Sequence, residues 1–200
     1  VLPMTEGINS LEQGMQRLSN VQDIAHVFSR LIFDEWVPLF RADVTGDPLE
    51  RHEILKEAGF LQYSEPDLGE EGDLIITING NLQEIGKNPS IAGREKATQE
   101  FIAEGKEVLH LRVGNAFLPI HKNTALVNKV NKQILMDRLN RQGVFSNAPI
   151  VDKFALMGYS WGGGMACELA KEIRQSSFAD REIHMALLDA VQYGYTEWVQ

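Results

Sequence analysis

One short segment constrains the fold of this chain more than any other. The apolar run Phe154 to Met157 leads directly into Gly158-Tyr159-Ser160-Trp161-Gly162, and a helical pattern continues from Gly163 to Arg174. Glycines on both sides of a serine remove the side chains that would collide in a tight strand-to-helix turn. The segment therefore predicts a strand, a sharp turn with Ser160 at its tip, and a helix packed closely on the sheet.

The residues around this segment predict a parallel sheet. Apolar runs predict strands at Leu74–Ile78, Glu107–Val113 and Ile183–Leu188. Helical patterns between them predict helices at Ser90–Glu104 and Thr124–Asn140. Strands that alternate with helices indicate βαβ units. We therefore predict an α/β fold with at least four parallel strands flanked by helices.

The carboxyl ends of these strands are the expected place for a site. In parallel α/β sheets, ligands bind in the crevice beyond the strand ends. The loops of interest consequently follow Ile78, Val113, Met157 and Leu188.

The first part of the chain has a different character. Helical spacing of apolar residues runs from Leu11 to Leu31, and a further helix is bounded by Asp47 as N-cap, Pro48 in the first turn and Gly59 after the end. We predict two units: a helical segment, residues 1–72, packed on or capping the core, and an α/β core of residues 73–200.

Composition limits the partners and the compartment. The net charge of −9, without a basic stripe, argues against nucleic acid. No apolar run is long enough to span a bilayer, and we expect no secretory signal. The single cysteine, Cys167, lies in an apolar helical pattern and is expected to be a buried, inert thiol. These features favour a cytoplasmic protein.

Cofactor and metal motifs are not matched. The sequence contains no G-x-G-x-x-G fingerprint and no zinc-like spacing of histidine, cysteine and carboxylate residues. We expect no cofactor and no metal. A glycine-rich turn that binds phosphate or only reverses the chain remains the alternative for Gly158–Gly162.

The pentapeptide and its context resemble the nucleophile elbow of the α/β-hydrolases, which include esterases, lipases, thioesterases and related peptidases. The resemblance covers about Asp73 to Val191. It implies that Ser160 is the nucleophile and that backbone N–H groups of Trp161 and of Asn81 or Leu82 form the oxyanion hole. Asn79-Gly80-Asn81 stands where many members have His-Gly, and a plain turn is the alternative there.

The resemblance also implies an acid and a base that act with Ser160. The family order is serine, acid, histidine, and Asp189 at the end of the last predicted strand is the candidate acid, with a capping or turn role as the alternative. No histidine follows it up to Gln200. The base could lie in a further segment or chain that completes an incomplete fold, could come from elsewhere, or could have been lost.

The internal histidines differ in their expected access to the site. His121 is predicted in the loop after the second strand, on the ligand side of the sheet, and is the internal candidate for the base. His110 is expected to face a helix, and His184 to lie at the opposite end of the sheet. A structural or surface role is the alternative for each of them. His26 and His52 fall in the helical segment, where the sequence does not place them.

These observations lead to one main hypothesis and two alternatives. The main hypothesis is hydrolysis of a small acyl ester or thioester through a covalent acyl-Ser160. The alternatives are a catalytically inactive, hydrolase-like binding module that lacks the triad histidine, and a flavodoxin-like binding domain.

Overall fold

The fold is a mixed α/β sheet flanked by helices. The structure is a computed structural model, and it describes residues 22, 25–26, 31–70, 72–80, 92–114 and 120–190. Its five strands are β1 (Leu61–Ser64), β2 (Asp73–Asn79), β3 (Glu107–Arg112), β4 (Lys153–Tyr159) and β5 (Glu182–Leu188). They are arranged in the order β1-β3-β2-β4-β5.

Four of these strands run parallel, as the sequence predicts. β2 pairs in parallel with β3 and with β4, and β4 pairs in parallel with β5. The edge strand β1 is antiparallel to β3, with Leu61 opposite Leu111. The α/β architecture is therefore confirmed, and an antiparallel edge strand is added to it.

The helices connect these strands in the predicted alternation. A π-helical turn, Leu31–Trp36, leads into α1 (Val37–Val44) and α2 (Pro48–Glu57), and three longer helices follow: α3 (Ala92–Ala103), α4 (Ile120–Leu139) and α5 (Trp161–Arg174). α2 begins as predicted, because the Asp47 carboxylate accepts a hydrogen bond of 2.9 Å from the Leu49 N–H. Gly59, just past its end, has φ +74°.

The sheet and its helices share one core. The predicted stripe on α4, formed by Val127, Val130, Ile134 and Leu135, is buried against apolar residues of the central strands. β2 and β3 are covered almost throughout, whereas β5 is exposed along nearly its whole length. Parallel strands that are covered on both faces are typically apolar along nearly their whole length. β5 differs from β2 and β3 because most of its side chains are exposed.

The helical segment is tied to the core by buried charges. Arg51 Nη1 donates to Asp137 Oδ2 at 2.7 Å, which links α2 to α4. Glu35 pairs with Arg112 at the end of β3, and the Arg112 guanidinium lies 4.3 Å from the Phe60 ring centroid. These pairs join α2 to α4 and Glu35 to the end of β3.

In this region the structure differs from one sequence-based expectation and does not describe the residues of another. Leu61–Ser64 is a strand, although the sequence predicts a helical segment over residues 1–72. The helical pattern between Leu11 and Phe28 lies almost entirely outside the described residues. Within the part of the chain that the structure describes, no helix has the length and apolar character needed to cross a membrane.

Candidate functional site

Ser160 occupies the turn between β4 and α5, at the carboxyl edge of the sheet. Its backbone has φ 52° and ψ −122°, a region that non-glycine residues rarely adopt. Such a conformation persists only where the surrounding structure holds it in place. The serine thus sits at the tip of a sharp, strained strand-to-helix turn, as the sequence predicts.

Gly158 and Gly162 make this turn possible by their lack of a side chain. A Cβ atom on Gly158 would lie 2.3 Å from the carbonyl oxygen of Gly162. A Cβ atom on Gly162 would lie 2.4 Å from the carbonyl oxygen of Ile78, at the end of β2. Any larger residue would therefore force β4, α5 and β2 apart.

The helix after the turn packs tightly on the sheet and directs its N-terminus at the site. A Cβ atom on Gly163 would lie 2.6 Å from the Cβ atom of Ala190, just after β5. Ser160 is the N-cap residue, but its side chain makes no capping hydrogen bond. The N-terminal end of a helix favours negative charge, so the turn places a half-buried serine beside an electropositive helix end.

Asp189 lies next to the turn on the neighbouring strand. The Ser160 N–H donates to the Leu188 carbonyl at 2.9 Å, and Tyr159 is directly opposite Leu188 in the sheet. Asp189 follows immediately, has φ 45° and is exposed. The structure thus brings the candidate acid to the same edge as Ser160, on the adjacent strand.

The candidate oxyanion donors are only partly described. Trp161 is half-buried in the first turn of α5, and Asn79 and Gly80 are buried where β2 ends beside the glycines of the turn. Asn81 and Leu82 lie outside the described residues. The end of β2 and the start of α5 therefore meet beside the turn.

His121 lies in a helix and not in a loop, contrary to the sequence-based expectation. α4 begins at Ile120 and includes His121 in its first turn. The predicted start of this helix, Thr124, is four residues too late, although Pro119 is a residue type that is common where helices begin. The side chain of His121 lies outside the described residues.

Three other histidine side chains have clear structural surroundings. The Val144 N–H donates to His52 Nδ1, so His52 Nε2 carries the proton that it donates to Asp137 at 2.8 Å. His110 contacts Thr77 on β2, to which Thr98 of α3 donates, so it faces a helix as predicted. His184 is exposed near the amino end of β5 and contacts Glu182.

The single cysteine of the chain, Cys167, lies on the helix that follows the turn. Cys167 on α5 is half-buried rather than fully buried, and burial, followed by the nearby Glu168, raises the pKa of its thiol. A raised pKa lowers the thiolate fraction, and the thiolate is the reactive form. Among the described residues, no group of three or more histidine, cysteine or carboxylate side chains could hold a metal ion.

Comparison with known proteins finds weak similarity to solved structures. No family model matches the chain, and no curated protein matches it. Similar solved structures include a candidate hydrolase of Legionella pneumophila, with 20% identity and a TM-score of 0.34. The similarity covers 62% of this chain and 35% of that one.

Esterase B of Lactobacillus rhamnosis is similar in two inhibited structures, one of them with a tributyrin phosphonate. Both are 13% identical to this chain and have TM-scores of 0.35 and 0.33. They cover 85% of this chain and 55% of the esterase chain. The chain thus spans about a third to a little over half of the length of these proteins.

Proposed function

We propose that this protein is a serine hydrolase that cleaves an acyl ester or thioester through a covalent acyl-Ser160. One observation carries the proposal: Ser160 is held at φ 52° between two glycines that no larger residue could replace. Backbone strain of this kind is concentrated at functional sites. A turn without a chemical role would be satisfied by glycine at the strained position itself.

In the proposed reaction, the Ser160 hydroxyl loses its proton to a base while its oxygen attacks the substrate carbonyl. The N–H groups of Trp161 and of Asn81 or Leu82 stabilise the resulting oxyanion, and each donor is worth about 3 kcal/mol in the transition state. Collapse of the intermediate expels the alcohol or thiol, which takes the proton from the base. Water then hydrolyses the acyl-serine in the same manner.

Asp189 would orient the protonated base, and this role is supported by its place beside Ser160 on the adjacent strand. A carboxylate in this position fixes the tautomer of a histidine and stabilises its charged form. Within this chain we propose His121 as the base, on the ground that α4 follows the carboxyl end of β3. A further segment or chain could supply the base instead.

A second candidate function is a hydrolase-like module that binds a ligand without cleaving it. The surroundings of the histidines favour it: His52 and His110 are fully engaged inside the protein, and His184 lies toward the far end of β5. A serine without a base has little nucleophilic strength.

Hydrolysis assays separate the two functions. We expect turnover of short-chain p-nitrophenyl esters and acyl thioesters, and a loss in kcat of about 10⁶-fold for Ser160→Ala and about 10⁴-fold for Asp189→Asn. Ser146→Ala, at an exposed serine remote in sequence from the turn, is the matched control and should retain full activity. Binding of the ester without turnover would identify the inactive module, and equal activity of Ser160→Ala would refute the hydrolase.

We further propose a small-molecule acyl substrate and a cytoplasmic location. The net charge of −9 and the single cysteine support the location and argue against nucleic acid.

A further inference from the structure

The chain that leaves β5 crosses the start of α5 immediately after Asp189. A Cβ atom on Gly163 would lie 2.6 Å from the Cβ atom and 3.1 Å from the Cα atom of Ala190. Among the described residues, the next atom to that position is the carbonyl oxygen of Gly158 at 3.7 Å, which is an ordinary van der Waals distance. Within this part of the chain, the tight contact of Gly163 is therefore with Ala190.

Asp189 is held between two contacts with the turn. The residue before it, Leu188, accepts a hydrogen bond of 2.9 Å from the Ser160 N–H through its carbonyl oxygen. The residue after it, Ala190, lies against Gly163 in the first turn of α5. The backbone of Asp189 is thus fixed on both sides to the turn that carries Ser160.

The backbone of Asp189 is bent to make both contacts. Its φ of 45° lies in the left-handed region, which non-glycine residues seldom adopt and aspartate adopts more readily than most. Among the non-glycine residues that the structure describes, Arg141 and Ser160 share this feature. Unusual backbone conformations persist only where the neighbouring structure imposes them, and here Ser160 and Asp189 impose them on each other through adjacent segments.

We infer that Gly163 is a positioning residue for Asp189: the missing side chain at this place lets Ala190 close on α5, and Ala190 in turn fixes Asp189 beside Ser160. The inference rests on the proposed hydrolase function, in which Asp189 orients the base. It gives a part in that function to a residue without a side chain, which acts through the backbone of the segment after β5.

The effect of a methyl group at Gly163 follows from these distances. The Cβ atom of Ala190 would have to move from 2.6 Å to about 3.4 Å from the new atom, where ordinary contacts begin. Gly163 is buried within the helix, whereas Asp189 and Ala190 are exposed, so the exposed segment would yield and the helix would stay. A misplacement of about 1 Å at a catalytic site can lower the rate about 100-fold.

The kinetics of ester hydrolysis test the inference in a set of variants. Gly163→Ala should lower kcat by about 10- to 100-fold with little change in KM, because the acid acts on the base and not on the bound substrate. The exchange of sizes, Gly163→Ala with Ala190→Gly, should restore kcat to within about threefold, since it removes the Cβ atom that the new methyl group meets. Gly46→Ala, with no atom within 4 Å of its new methyl group, is the matched control and should retain full activity.

The same substitution in an Asp189→Asn background separates positioning from a general loss of structure. Gly163→Ala should cause no further loss of kcat there, because the carboxylate that it displaces is already absent. A displaced helix start, which would also move the Trp161 N–H, should instead lower kcat by the same factor in both backgrounds. Thermal unfolding followed by circular dichroism verifies that each variant is folded.

The placement itself can be measured without any assay of hydrolysis. The backbone amide signals of Asp189 and Ala190 in NMR spectra should shift in Gly163→Ala and return toward their original positions in the exchange variant. Unchanged signals in Gly163→Ala would overturn the inference.

Three kinetic results would also overturn it: an undiminished kcat in Gly163→Ala, equal losses in the two backgrounds, and failure of the size exchange to restore kcat. Failure of the proposed hydrolase function looks different. The unsubstituted protein would then neither hydrolyse esters nor react with a fluorophosphonate at Ser160, and the positioning role would fall with the function even if the NMR signals of Asp189 shift as expected.

Discussion

At the scale of single residues, the backbone of Ser160 is the most informative feature. A non-glycine residue at φ 52° and ψ −122° costs on the order of 1–3 kcal/mol. The cost persists because the turn is fixed by its neighbours: the Ser160 N–H bonds to β5, and Gly163 N–H bonds to the Ser160 carbonyl at 3.0 Å. The strain presents the hydroxyl at the sheet edge and leaves it free of a helix-capping role.

Gly162→Ala is expected to destabilise the protein by about 3 kcal/mol or more, because the added methyl group would meet the carbonyl of Ile78 at 2.4 Å. Thermal unfolding followed by circular dichroism measures the loss. Gly46→Ala is the matched control, since no atom lies within 4 Å of the place that its new methyl group would take and its φ is ordinary. Equal melting temperatures of the two variants would contradict the packing described for the turn.

Cys167 provides a test of pH dependence. Burial and Glu168 raise the pKa of this thiol, so the folded state binds the proton more tightly than the unfolded state. Stability linked to this group is therefore complete below the pKa of the unfolded thiol and declines as the pH rises through the folded value. The alkylation rate with iodoacetamide should reach its midpoint at a higher pH in the folded chain than in the unfolded chain; a midpoint at the same or a lower pH would contradict this.

At the scale of elements, buried ion pairs connect strands to helices. Arg138 of α4 binds both carboxylate oxygens of Glu107 on β3, through Nε at 2.5 Å and Nη2 at 2.9 Å. Tyr63 of β1 donates to the same carboxylate at 2.9 Å, and burial, reinforced by Glu107, raises the pKa of Tyr63 far above its usual range. One carboxylate thus joins the edge strand, the central sheet and α4.

Arg138→Met should lower the free energy of unfolding by about 3–5 kcal/mol, because Glu107 would remain buried without its cation. Lys129→Met is the control on the same helix: Lys129 pairs with Asp43 at 2.8 Å, but its side chain is 67% exposed, and such pairs contribute about 0–1 kcal/mol. Urea unfolding of both variants measures the difference. A loss below about 1 kcal/mol for Arg138→Met would contradict the role of this pair.

Elements with strong local patterns could be predicted from the sequence. The four parallel strands and the helices that follow them were recognisable by apolar runs and by signals such as Asp47 and Gly59. Leu61–Ser64 was missed because Leu-Gln-Tyr-Ser is short and polar, and its strand conformation depends on pairing with β3. The start of α4 was misplaced because the residues from Ile120 to Asn123 have no clear apolar spacing.

The turn that carries the candidate site could be predicted because Ser160 and its glycines are adjacent in the sequence and follow an apolar run. The roles proposed for Ser160 and Asp189 stay predictions. A base, in contrast, is brought to a serine by tertiary structure and has no local pattern. His52 illustrates this, since its bond to Asp137 joins residues 85 positions apart.

At the scale of the whole molecule, the two ends of the sheet are unlike. β1 closes one end as a short antiparallel strand with Leu61 buried. Among the described strands, β5 lies at the other end, with apolar side chains exposed on both faces. The strained turn joins β4 to α5 and bonds to the end of β5, so the candidate site lies in the half of the sheet that contains β5.

The account as a whole depends on Ser160 being an activated nucleophile. The most direct measurement is reaction of the protein with a fluorophosphonate probe, followed by tryptic digestion and mass spectrometry. The account predicts a phosphonyl adduct on the peptide that contains Ser160, and no adduct in Ser160→Ala. An unlabelled Ser160, or an adduct on another serine with Ser160 unmodified, would contradict it.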